Sequence, residues 1–272
     1  MKLLSLLSIA CTLLISCGTT SKLDVPSKFE EQSDKFEVKG ARSRHISFGN
    51  FKTTKIKRGW NIHSSRYGKR YLVENLLLGQ VGIRKIEIIE KQKDKFSFTL
   101  SDGQKTAEVY AREFEGNKSD NYRLGILEGI AGNIRQMQQY KYSLSAAIIT
   151  DTASGSWQMI LGNAYDRKYD STKSLFPLFD NSDNGFATNG KDTIFIRSLN
   201  LKKAVGPYGK EAKYPVKILS GYELRIDDGV AAIVDNIGMY VWFYKELDDS
   251  TKLIVSSIAV TIFAKRIKDV KW

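Results

Sequence analysis

Residues 95–114 read KFSFTLSDGQKTAEVYAREF, and this stretch decides the fold class. Phe96, Phe98 and Leu100 alternate with Ser97 and Thr99, and Ala107, Val109 and Ala111 alternate with Glu108, Tyr110 and Arg112. A period of two is that of a half-buried strand, because successive side chains leave opposite faces of the pleat. Asp102-Gly103 lies between the two runs, a pair that reverses the chain readily and predicts an antiparallel hairpin.

The same alternation, or runs rich in β-branched and aromatic residues, predicts further strands over 45–51, 53–60, 71–77, 83–91, 142–150, 156–161, 193–199, 215–219, 222–226, 230–234 and 239–245. Asp228-Gly229 marks a second hairpin. In the last run Tyr240, Trp242 and Tyr244 share one face and Met239, Val241 and Phe243 the other, as expected of a strand covered on both sides. Two segments read as helices. Over 124–139, Ile126, Ile130 and Ile134 recur at spacing four, although Gly125, Gly129 and Gly132 weaken the pattern. Over 253–267, Ile254, Val255, Ile258, Ala259, Ile262 and Phe263 form an apolar face that suits docking on a sheet, with Ser250 or Thr251 as the cap. The expected fold is mainly β, an antiparallel sandwich or partly open barrel with one or two covering helices, the C-terminal one included. The two Asp-Gly hairpins also allow two similar lobes with a boundary near residue 140.

The chain has 272 residues, a formal charge of +12, 42% hydrophobic residues and 26% charged ones, so it is neither a disordered polyampholyte nor a polytopic membrane protein. Two cysteines make neither a disulfide framework nor a four-thiolate zinc site. They matter for another reason. Lys2 precedes an apolar run from Leu3 to Ile15, shorter than the roughly 20 residues a helix needs to span a bilayer. It ends in Leu14-Ile15-Ser16-Cys17-Gly18.

This ending resembles the lipobox of bacterial lipoproteins, and the resemblance covers residues 1 to about 20 only. It implies a signal peptide over 1–16, cleavage before Cys17 and acylation of that cysteine, with Cys11 lost alongside the signal. Two or more acyl chains hold a protein on a membrane, whereas one does so only marginally. Gly18, where inner-membrane lipoproteins often carry Asp, favours an outer membrane. Residues 17–35 are expected to be a lipidated N-terminus and polar tether, and residues 36–272 a β-rich extracytoplasmic domain.

Between Glu37 and Glu74 there is no acid but there are ten cations: Lys39, Arg42, Arg44, Lys52, Lys55, Lys57, Arg58, Arg66, Lys69 and Arg70. Arg42, Arg44, Lys52, Lys55, Lys57 and Arg58, with Trp60, are the candidate contact surface for anionic lipid or polysaccharide of a cell envelope. The competing reading is a solvated face paired with acids such as Glu87, Glu90 or Glu108. An exported chain with no zinc-finger, helix-turn-helix or RNA-binding motif is not expected to meet nucleic acid.

Catalytic signatures are absent: no G-x-S-x-G elbow serves His45 or His63, and no H-E-x-x-H, P-loop or dinucleotide fingerprint occurs. Asp180–Gly185 begins like a calcium loop, but its twelfth position is Lys191, and a turn explains it equally. No cofactor or metal is expected. The sequence therefore predicts a membrane-anchored envelope component that binds or supports rather than catalyses. A polysaccharide hydrolase using two carboxylates and a protein-assembly subunit are the alternatives.

Overall fold

The computed structural model describes residues 23, 25–80, 82–124, 133–151, 155–169, 183–205, 211–227 and 229–267. The hairpin read from the sequence is its centre. Strands β6 (Ile83–Ser101) and β7 (Thr106–Leu124) pair antiparallel along their whole length. Gly103 takes a left-handed φ of 100°, and Asp102 Oδ1 accepts the amides of Gln104 and Lys105 at 2.8 and 2.7 Å, which closes the turn. Inside, large residues face small ones: Leu100 is opposite Ala107 and Phe96 opposite Ala111.

Around this hairpin the chain builds one fourteen-stranded antiparallel sheet. Before it come β1 (Ser33–Glu37), β2 (Ser47–Phe48), β3 (Phe51–Thr53), β4 (Lys57–Arg58) and β5 (Ile62–Arg70). After it come β8 (Asn133–Thr150), β9 (Ser156–Asp166), β10 (Asn184–Thr188), β11 (Thr193–Val205), β12 (Glu211–Ile226), β13 (Gly229–Asp235) and β14 (Tyr240–Tyr244). From β6 to β14 each strand pairs with the next, β1 pairs with β14, and β3, β4 and β5 share the other edge of β6. The two ends of the sheet meet where Lys39, just after β1, bridges Ser47 of β2, so the sheet is a nearly closed barrel rather than a sandwich.

The barrel is filled by the C-terminal helix. Residues Asp249–Ala264 form this helix, and every residue from Leu253 to Ala264 is buried. A helix buried on all sides belongs in an interior, so it runs through the barrel instead of docking on its surface as the one apolar face predicted. Two of its buried hydroxyls bond back along the helix: Ser257 Oγ donates to the Leu253 carbonyl at 2.8 Å and Thr261 Oγ1 to that of Ser257 at 2.7 Å. The cap is Asp248, whose Oδ1 accepts the amides of Ser250 and Thr251, both at 3.0 Å.

Several expectations are corrected. The end of the predicted helix 124–139 is strand: β8 begins at Asn133 and pairs with both β7 and β9, and ladder partners on two sides outweigh a local helical period. Residues 125–132 lie outside the described residues. Residue 140 is inside β8, so no lobe boundary falls there. Residues 71–77, predicted as a strand, form most of a helix, Leu72–Gly79. Its Asn75 side chain bonds both the amide and the carbonyl of Lys85, at 2.7 and 2.9 Å, and holds it on β6. We number the helices α1 (Ser27–Glu31), α2 (Leu72–Gly79) and α3 (Asp249–Ala264). The expected tether is folded from Val25 onward: α1 sets Phe29 against Ile233 and Trp242 on the outside of the barrel, while Val241 and Phe243 face the core.

The C-terminal end of α3 creates an electrostatic demand inside the barrel. Its terminal carbonyls lack helical partners. Arg58 supplies one donor, from Nη2 to the Ala264 carbonyl, and also bonds Asp94 at 3.2 Å. Beyond it, Glu113 accepts the amides of Arg266 and Ile267 at 3.0 and 3.1 Å, and the Tyr142 hydroxyl at 2.9 Å. Burial raises the Glu113 carboxyl above its ordinary 4.5 in spite of these bonds. A carboxyl whose pKa is higher folded than unfolded stabilises the fold most while protonated. The stability difference between the wild type and Glu113→Gln, from urea unfolding at a series of pH values, should therefore fall as pH rises above 4.5 and level off beyond the raised value.

Candidate anion-binding groove

The barrel wall bears its cations outward by the same alternation that fills the interior. On β6, Phe96 and Phe98 point in, so Lys91, Lys93, Lys95 and Ser97 point out. Register then lines up Lys57, Ser97, Tyr110, Ala147 and Gln158 across β4, β6, β7, β8 and β9. The neighbouring row is Lys95, Arg112, Ser145, Ile160, Phe186 and Phe195. Where Gly59, Ser97, Ser145 and Ala147 lie between the long side chains, the surface sinks into a groove of about 700 Å³. At about 4.8 Å per strand, the row from β4 to β9 is roughly 19 Å long.

The groove has two chemical ends. Lys57, Lys95 and Arg112 stand exposed at one, and no Asp or Glu lines it. Among the described residues none of the three has an ion-pair partner. The nearby Glu108 is engaged by the Tyr110 hydroxyl at 2.9 Å. At the other end Ile160 is about half exposed, and it is followed along the row by Phe186 and Phe195, 41% and 48% exposed. Such a surface suits a ligand with an anionic head and an apolar tail: unpaired cations make charge-assisted bonds to phosphate or carboxylate, and exposed apolar side chains gain by being covered.

Of the residues singled out from the sequence, Lys57 and Arg58 line this groove. Arg44 and Lys55 are close by, since the Arg44 carbonyl accepts the Ile56 amide at 2.8 Å. Lys52 lies further along the same wall, opposite Ser101 of β6. Arg42, with a left-handed φ of 68°, is exposed in the turn after β1, and Trp60 is 90% exposed beside β4. Arg58 also lines the groove, but its guanidinium turns inward to Asp94 and the end of α3, which gives it a structural role. Lys95 and Arg112 escaped the sequence reading because they lie outside the acid-free window. Their outward phase in 95–114 and the position of the Asp-Gly turn are the signal that puts them side by side.

The acids proposed as partners of the basic window form their ion pairs elsewhere: Glu87 pairs with Lys118 at 2.8 Å, while accepting the Lys69 amide, and Glu90 pairs with Arg135. Two buried carboxylates, Asp94 and Glu113, do sit opposite one another on β6 and β7. Both are committed to Arg58 and the end of α3, and neither lines the groove. Cys17 and Asp180–Ser182 lie outside the described residues; Asp183 faces inward, accepting the Tyr222 hydroxyl at 2.6 Å with Lys265 at 3.7 Å. Among the described residues no group of three or more His, Cys, Asp or Glu side chains could hold a metal ion, and no helix is long and apolar enough to cross a membrane. No family model, curated protein or solved structure matches the chain.

The inward role of Arg58 separates it from its neighbours by experiment. Arg58→Ala leaves Asp94 charged, buried and unpaired, and should lower the unfolding free energy by about 3–5 kcal/mol. Lys57→Ala should change it by no more than about 0.5 kcal/mol, both read from urea denaturation.

Proposed function

We propose that this chain is a lipid-anchored component of a bacterial cell envelope, held at the membrane by acylated Cys17, whose groove binds an anionic ligand without transforming it. The observation that carries the reading is the trio Lys57, Lys95 and Arg112: exposed cations without acid partners among the described residues, arranged around one concavity. The run Ile160, Phe186 and Phe195 beyond them favours an anionic lipid over a polysaccharide, because a sugar polymer offers no tail to cover those side chains. The commitment of Asp94 and Glu113 to α3 favours binding over hydrolysis.

Binding to dispersed phosphatidylglycerol should weaken roughly fivefold for each of Lys95→Gln and Arg112→Gln, and the dependence on salt should flatten. Affinity that does not change in the double variant, measured by titration calorimetry, would remove the groove from the reading. An acidic polysaccharide that binds more tightly than the lipid would reverse the choice of ligand. Separately, Cys17→Ala should shift the chain from the membrane to the soluble fraction or block its processing, as seen by cell fractionation and intact mass. Normal processing with an unchanged membrane fraction would discard the anchor.

A further inference from the structure

Helix α2 is amphipathic the wrong way round for a helix that packs on a core. Its polar side faces the protein: Asn75 grips Lys85, Glu74 bonds the Lys85 ammonium at 3.0 Å, and the preceding Tyr71 donates to Asp120 at 3.1 Å. Beneath it Glu87 and Asp120, both 3% exposed, are satisfied by Lys118 and Lys85. On β5, Gly68 leaves the room that the Glu87 carboxylate occupies, since a Cβ there would overlap it. Leu72, Val73, Leu76 and Leu77, at helical spacing, are left 63–77% exposed on the opposite side.

The surroundings of this apolar face are cationic. Arg66 and Lys69 on β5 are exposed, and among the described residues neither has an ion-pair partner. On the outer face of β6, Lys91 and Lys93 continue the charge from the helix to Lys95 and the groove.

We propose that α2 is a membrane foot, whose four aliphatic side chains enter the headgroup–acyl boundary of an anionic leaflet while the cations of β5 and the outer face of β6 contact its phosphates. Size argues against a protein partner. An eight-residue helix is about 12 Å long, and its four side chains offer a small part of the roughly 800 Å² that each partner of a stable complex buries. Composition agrees, since Leu and Val without a central aromatic or Arg anchor are poor material for an interface hot spot. An apolar stripe edged by unpaired Lys and Arg is the pattern of an interfacial helix, and each cation strengthens contact with an anionic leaflet roughly fivefold. The foot does not depend on what fills the groove.

The test uses the full chain with Cys11→Ser and Cys17→Ser, a nitroxide on Leu76→Cys, and a control nitroxide on Lys191→Cys in the β10–β11 turn at the other end of the barrel. With phosphatidylglycerol-containing vesicles, the label at 76 should become protected from a water-soluble nickel chelate and open to oxygen, while the label at 191 stays open to nickel. Pure phosphatidylcholine, or the variant Arg66→Glu/Lys91→Glu/Lys93→Glu, should abolish the protection. Full nickel access at 76 on anionic vesicles overturns the proposal, as does protection equal on both lipids. Protection without vesicles, accompanied by dipolar broadening between labels, assigns the face to a second copy of the chain instead. Groove variants should leave the reading at 76 unchanged, which separates failure of the foot from failure of the binding site.

Discussion

An α-helix enclosed by a barrel must end inside it, and the rest of the structure is arranged around that end. The carbonyls at the C-terminus of α3 cannot reach bulk water freely, and the negative end of the helix dipole calls for positive charge. The answer draws on residues far apart in sequence: Arg58 from β4, Asp94 from β6, Glu113 from β7, Tyr142 from β8 and Tyr222 from β12, with Lys265 at 2.8 Å from the Tyr222 hydroxyl. Below this polar layer the interior is apolar; above it the strands β6, β7 and β8 run on beyond the helix and carry α2. The layer thus divides a packed barrel from an extension whose buried groups are charged.

How far the sequence was readable follows the range of the forces involved. The hairpin at 95–114 and the extent of α3 are local patterns, and both stand in the structure nearly as spelled out. Whether α3 lies on a sheet or within it is decided by closure of the barrel, which rests on the pairing of β1 with β14 and the bridge from Lys39 to Ser47. No local period encodes those contacts. The end of segment 124–139 became strand because two neighbours offered ladders to it. The run Leu72–Leu78 became helix under a polar network it could not announce, since Glu87 and Asp120 arrive from later strands. In the basic window, Lys55 and Lys57 are exposed, whereas Arg58, the next residue and grouped with them from the sequence, turns its guanidinium in to meet the helix end.

The outer face of β6 brings the functional features into one line. Its outward positions run from the docking site of α2 through Lys91, Lys93 and Lys95 to the groove. Evenly spaced lysines on an exposed strand would ordinarily serve solubility. Here they join an apolar helix to a concavity with cations at one end, and their charges are not cancelled by acids across the ladder. The inward residues of the same strand, Asp94, Phe96, Phe98 and Leu100, are devoted to packing and to the helix end. One strand therefore separates an exposed basic line from the packed interior by side-chain parity alone.

The place of α3 in the chain has a consequence for how the molecule is made. The helix follows all fourteen strands, yet it supplies the filling around which they close, and β1 waits for β14 across nearly the whole chain. A polypeptide that emerges from its N-terminus presents a hollow, unsealed sheet until its last segment appears, and such long-range pairing is slow to form. Assembly is thus a single late event, in which the plug arrives and the seam shuts together. Until then the inward faces of β6 to β9 stand open to other chains, and whatever accompanies the nascent chain must shield them over that interval.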